Sequence, residues 1–184
     1  MSGVYPAGVE VRRQASISAN GQYRWSLHRD WRTTEERPRW ATFVMLNPST
    51  ADGEQDDPTI RRCVGFARAL GCTGLAVVNL YAFRATSPAD LWKTQDPVGP
   101  TNDHHLAVFL SMSKHYGFPV IAAWGAHARP DRIAQVVALP GADRLTCLGM
   151  TKSGAPRHPL YLPATAELVP WPTGGAAPTT TEES

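Results

Sequence analysis

Apolar runs alternate with amphipathic stretches along most of the chain. ATFVML (41–46) is continuously apolar, which predicts a strand buried on both faces. GLAVVNL (74–80), PVIAAW (119–124) and RLTCLG (144–149) repeat the pattern and predict three more strands. The stretches between them have helical spacing. Asp57 and Pro58 read as the N-cap and first residue of a helix. Its stripe is Ile60, Cys63, Val64, Ala67 and Leu70, and Gly71 closes it. A short helix is expected over 88–93. A longer one starts at Pro100 or Thr101, turns Leu106, Phe109, Leu110 and Ser113 to one side, and ends at Gly117. Residues 130–139 predict a further helix with Ile133, Val136 and Val137 inward.

Ahead of this rhythm lies SISANGQYRWSLHRDW (16–31). Asn20-Gly21 is a strong signal for a tight type I′ hairpin, because both central residues of that turn need positive φ. Ile17 alternates on one arm, and Tyr23, Trp25 and Leu27 on the other. TTEERPR (33–39) is polar and reads as a loop. Strands alternating with helices predict an α/β fold, a three-layer α/β/α arrangement with a four-stranded parallel central sheet plus the N-terminal β-hairpin. The expected organisation is an N-terminal segment (1–14), one domain (15–170) and a disordered tail (171–184) rich in Pro, Gly and Thr.

Composition narrows the class. The chain has 184 residues, 42% of them apolar and 18% charged, which suits one globular domain with a real core. The net charge of +2 excludes a polyelectrolyte, and leaves a local nucleic-acid patch as the remaining basic option. Cys63, Cys72 and Cys147 form no CxxC pair, so a disulfide framework or four-cysteine metal site is not expected. No stretch approaches the roughly 20 apolar residues of a membrane span, and MSGVYPAGVEVRRQ is not a signal peptide. The expectation is a cytoplasmic monomer without membrane contact.

In an open α/β sheet, ligands bind beyond the carboxyl ends of the strands. The four loops there collect Asn47, Asn79, Arg84, His127, Lys152, Arg157, His158 and several hydroxyls. That inventory favours a polar, partly anionic, aromatic ligand. GxGxxG, GxxxxGK[ST], GxSxG and HExxH are all missing, so no nucleotide cofactor and no metal is expected. Asp103-His104-His105 resembles a metal-binding triplet, but adjacent helical residues point in different directions.

The order of motifs resembles the uracil-DNA glycosylase superfamily, and its thymine/uracil mismatch branch in particular. The residues that carry the likeness are Leu46-Asn47-Pro48, Val78-Asn79-Leu80, Ala123-Trp124-Gly125-Ala126-His127-Ala128 and Arg157-His158-Pro159-Leu160. Leu46 stands where members carry glycine, and Leu160 where they carry serine. LNPSTAD, DDPTIRRC, NLYAFRAT and PRHPLYLP also look like an uncharacterised bacterial and phage domain family, over about residues 22–163.

The superfamily resemblance implies a monofunctional DNA glycosylase with DNA as partner. It hydrolyses the N-glycosidic bond of a flipped-out uracil or C5-substituted uracil. His158 is then the donor to the departing base anion, and Asn79 reads the base edge through its donor–acceptor amide. Asn47 orients water, with Asp52 of the same loop as the carboxylate alternative; Glu54, Asp56 and Asp57 are further carboxylates there. Tyr81, Phe83 and Trp124 are candidates for stacking on the base. Ser49, Thr50, Arg84, Lys152, Ser153 and Arg157 are candidates for phosphate contact. The small Ser49-Thr50-Ala51 leaves room for a C5 substituent. Two alternatives stand beside this: a non-catalytic base-binding module, and a glycosidase of free nucleosides or nucleotides.

Overall fold

A computed structural model describes residues 4–49 and 55–172. Thr50, Asp52 and Glu54 of the first loop, and residues 173–184 of the expected tail, lie outside the described residues. Seven strands are β1 (Arg12–Ile17), β2 (Arg24–Asp30), β3 (Trp40–Met45), β4 (Gly74–Asn79), β5 (Val120–Ala122), β6 (Leu145–Cys147) and β7 (Val169–Pro170). Four helices are α1 (Pro58–Ala69), α2 (Pro88–Leu91), α3 (Asn102–Tyr116) and α4 (Pro130–Val137).

The expected four-stranded parallel central sheet is overturned. One mixed sheet of seven strands has the order β1-β2-β4-β3-β5-β6-β7. Parallel pairs join β4 to β3, β3 to β5 and β5 to β6. Antiparallel pairs join β1 to β2, β2 to β4 and β6 to β7. The hairpin therefore adds antiparallel strands to the sheet. The physical reason is that Leu27 and Trp31 enter the same core as α1, while Arg29 between them is completely buried.

The type I′ turn does not form either. Gly21 has φ +72°, but Asn20 is not in the positive-φ region. Local side chains take over the turn instead. Ser18 Oγ lies 2.7 Å from Asn20 Oδ1 and accepts the Tyr23 N–H, and the Gly21 N–H donates to the Ser18 carbonyl. The result is a wider connection, followed by a bulge where Ile17 pairs with Arg24.

Strand alternation divides the core into two layers. Met45, Val77 and Ile121 meet Cys63, Val64 and Ala67 of α1 on one face. Val44, Val78 and Ala122 meet Leu106 and Leu110 of α3 and Val136 of α4 on the other. Asp57 caps α1 by accepting the Ile60 N–H at 2.8 Å. Gly141 (φ +90°) lets its turn approach α3 so closely that an added Cβ would sit 2.5 Å from the Leu110 carbonyl.

One ion pair crosses this arrangement. Arg29 Nε donates to Asp56 Oδ1 at 2.6 Å, with side-chain exposures of 0% and 8%. Tyr5 Oη donates to the other carboxylate oxygen at 2.5 Å. Burial first, and the Asp56 carboxylate second, push the Tyr5 phenol above its usual pKa. Asp56→Ala removes the carboxylate that meets the buried Arg29 guanidinium, and is expected to cost about 3–5 kcal/mol in urea unfolding. Tyr5→Phe, which removes one hydrogen bond, is expected to cost only about 1–2 kcal/mol in the same measurement.

Candidate active site

The ends of β3 and β5, the start of α1 and the segment after β6 enclose a cleft of about 570 Å3. Asn47, Trp124, Arg157 and His158, four of the sequence-predicted residues, line it together. The remaining lining includes Met45, Thr59, Thr86, His127, Thr151, Leu160 and Tyr161. No carboxylate appears among the described lining residues.

Asn47 has a fixed polarity. Its Nδ2 donates to the Pro48 carbonyl at 3.1 Å and the Ala85 carbonyl at 2.9 Å. Both amide hydrogens are thus committed, and Oδ1 is the acceptor end of the side chain. His158 has the opposite polarity. Its Nδ1 accepts the Leu160 N–H at 3.3 Å, at the head of the 3₁₀ turn Pro159–Tyr161. In the neutral ring the proton therefore resides on Nε2, which becomes a donor. Burial lowers the His158 pKa, and the Asp57 carboxylate offsets part of that effect. The proximity of Asp57 to His158 has no signature in the sequence beyond helix capping.

Trp124 forms the floor at 1% exposure, edge-on to Trp171 with ring centroids 5.0 Å apart. Its Nε1 is buried without a hydrogen-bond partner among the described residues. Trp171, placed in the tail by the sequence, is thus part of the packed structure. Arg157 is exposed at the rim, and Tyr161 is 74% exposed beside His158. Lys152 and Ser153 occupy the exposed tip of the loop after β6, where Ser153 Oγ is paired with Thr151 Oγ1.

The other predicted residues are turned elsewhere. Asn79 is 2% exposed and is not among the described residues of the cleft. Its carbonyl accepts from Asn102 Nδ2, and its own Nδ2 is buried without a partner among the described residues. Tyr81 is buried against Trp92, with its hydroxyl accepting the Arg129 N–H. Phe83 packs edge-on to Tyr23 in a bridge to the hairpin. Arg84 donates to the Gly21 carbonyl at 2.9 Å and reaches the Ser49 carbonyl at 3.5 Å, so it joins two loops. The triplet Asp103-His104-His105 disperses: Asp103 pairs with Arg132, and His105 stacks on Trp25. Thr59, Thr86 and Thr151 bring hydroxyls that sequence reasoning did not single out.

With the geometry in place, comparison identifies the chain as a member of the family described as Protein of unknown function (DUF1643), which matches residues 24–160. No match is found among the curated proteins. Among solved structures, L-tryptophan dehydrogenase from Nostoc punctiforme is similar at 16% identity and TM-score 0.34. That match covers 80% of this chain and 39% of the dehydrogenase. A mutant of the esterase rPPE is similar at 16% identity and TM-score 0.31, over 64% of this chain and 35% of the esterase. The chain thus spans less than two-fifths of each of these proteins.

His158 is expected to titrate below the ordinary imidazole value of about 6.5 and to carry its neutral proton on Nε2, both read by 15N–1H NMR of the ring. A depressed folded pKa means the unfolded chain takes up the proton first. The stability contribution is therefore intact above about pH 6.5 and is lost as pH falls toward the folded pKa. His158→Gln is expected to flatten that part of the pH–stability curve. An Nδ1–H tautomer would contradict the assignment.

Proposed function

We propose that the cleft hydrolyses the N-glycosidic bond of a uracil or C5-substituted uracil held out of DNA. The observation that carries this reading is the opposed polarity of Asn47 and His158 in one cleft: a fixed acceptor and a fixed neutral donor. The motif resemblance at both positions agrees with it.

In this reading the base leaves first. The bond from C1′ to the ring nitrogen breaks, its electron pair goes to the base, and His158 Nε2–H donates to the oxygen on which the negative charge develops. Water held by Asn47 Oδ1 then adds to the oxocarbenium carbon. Its surplus proton passes to solvent, since an amide oxygen cannot retain it. Leaving-group stabilisation therefore carries most of the rate. Exposed Tyr161 and Leu160 at the mouth offer apolar surface to unstacked bases, and Arg157 and Lys152 offer charge to phosphates.

A gel assay on labelled oligonucleotides tests this. Each carries one uracil, thymine mismatch or hydroxymethyluracil, in single and double strands, with alkali to open abasic sites. Cleavage is expected on at least one base. His158→Ala is expected to reduce it about 100-fold or more, in line with loss of an oxyanion donor, with circular dichroism unchanged. Cleavage that His158→Ala leaves unaltered would overturn the reading.

The absence of a carboxylate among the described lining residues favours one second reading, a base-binding module without catalysis. Oligonucleotide binding with no abasic product on any substrate would select it. A glycosidase of free nucleosides would cleave nucleosides at a rate indifferent to salt, whereas recognition of a phosphate backbone weakens steeply with salt.

A further inference from the structure

A second cavity, of about 680 Å3, opens near the starting end of β3, at the opposite end of that strand from the candidate cleft. That volume falls within the roughly 300–1,000 Å3 typical of small-molecule sites. Its walls are mainly aromatic. Tyr116 and Phe118 stack with centroids 5.4 Å apart, and the His28 ring meets Trp40 and Phe109 edge-on at 5.7 and 5.3 Å.

Two features separate this cavity from a plain gap in the core. His28 Nε2 is buried with no hydrogen-bond partner among the described residues, an arrangement that costs free energy until something supplies one. Arg37 lines the cavity from an exposed position and makes no hydrogen bond or ion pair among the described residues. No Asp or Glu is among the described lining residues. Burial, reinforced by the nearby Arg29 charge, holds the His28 imidazole below its usual pKa.

We propose that this cavity binds a small planar aromatic carboxylate. The ring lies between Trp40, Phe109 and Tyr116, a polar ring edge meets His28 Nε2, and the carboxylate meets Arg37. Aromatic walls select a flat apolar ring, the unpartnered imidazole selects one with a hydrogen-bonding edge, and the unpaired guanidinium selects an anion. This site is independent of the reading proposed for the first cleft.

The chain offers its own reporters. Of its four methionines, Met112 lines this cavity and Met45 lines the candidate cleft. The full chain, labelled at the methionine methyl carbons, is titrated with indole-3-carboxylate and, separately, with neutral indole. The carboxylate is expected to move the Met112 signal, leave Met45 in place and saturate at one per chain. It is expected to bind roughly tenfold tighter than indole, the margin of a charge-assisted contact. Arg37→Glu, an exposed change that spares the core, is expected to erase that margin while indole binding persists. A shift at Met45 alone, no shift with either probe at millimolar concentration, equal affinity for the two probes, or a margin that survives Arg37→Glu would each overturn the proposal.

Discussion

The buried pair of Arg29 and Asp56 is the constraint on which the rest of the molecule depends. Arg29 sits in β2 with no exposed surface, on the face that packs against α1. Its counter-charge comes from the residue just before the cap of that helix. One charged contact therefore joins the antiparallel part of the sheet to the helix that lines the candidate cleft, and Tyr5 brings the N-terminal segment to the same carboxylate. Such a pair is not a cheap source of stability, since two ions have left water to form it. Its value is positional. With Asp56 held by Arg29, Asp57 is placed to cap α1, to present Thr59 to the cleft and to act electrostatically on His158.

The same constraint explains why the sheet is mixed. β2 is a strand with a fully buried arginine, and only a sheet position beside β4, covered by α1, supplies both the backbone partners and the carboxylate. α3 covers the opposite face and leaves Trp40 and His28 beside an open cavity. The two cavities thus occur at opposite ends of β3. The candidate cleft is rich in polar groups from strand-end loops; the other cavity is walled by rings.

Legibility in the sequence follows the same physics. β3 and β4 are readable because continuous apolar runs mark strands covered on both faces, and α1 because an Asp-Pro start and a helical stripe coincide. The β2 strand is readable from the alternation of Tyr23, Trp25 and Leu27, but the burial of its Arg29 is not, because the partner that buries Arg29 lies in another segment. β7 is a two-residue strand with no pattern to detect. The Asn-Gly turn misleads because Ser18 and Asn20 bind the loop backbone and each other more locally than the hairpin rule assumes. At the site, Asn47 and His158 line the same cleft. Asn79 and Tyr81 are buried in the interior, because a residue at or just past a strand end can face the core as readily as the cleft, and Arg84 instead joins two loops.

The segment carrying His158 is restrained from several directions. The Gly125 N–H donates to the Pro156 carbonyl, the Arg157 N–H to the Gly149 carbonyl, and Trp171 Nε1 to the Gly154 carbonyl. Trp171 in turn is fixed by Trp124 and by the strand it follows, β7. The orientation of the His158 donor is therefore set before any ligand arrives. On the other wall, two backbone carbonyls set the Asn47 amide in the same way. Hydrogen-bonding groups oriented in advance pay no reorganisation cost when charge develops beside them.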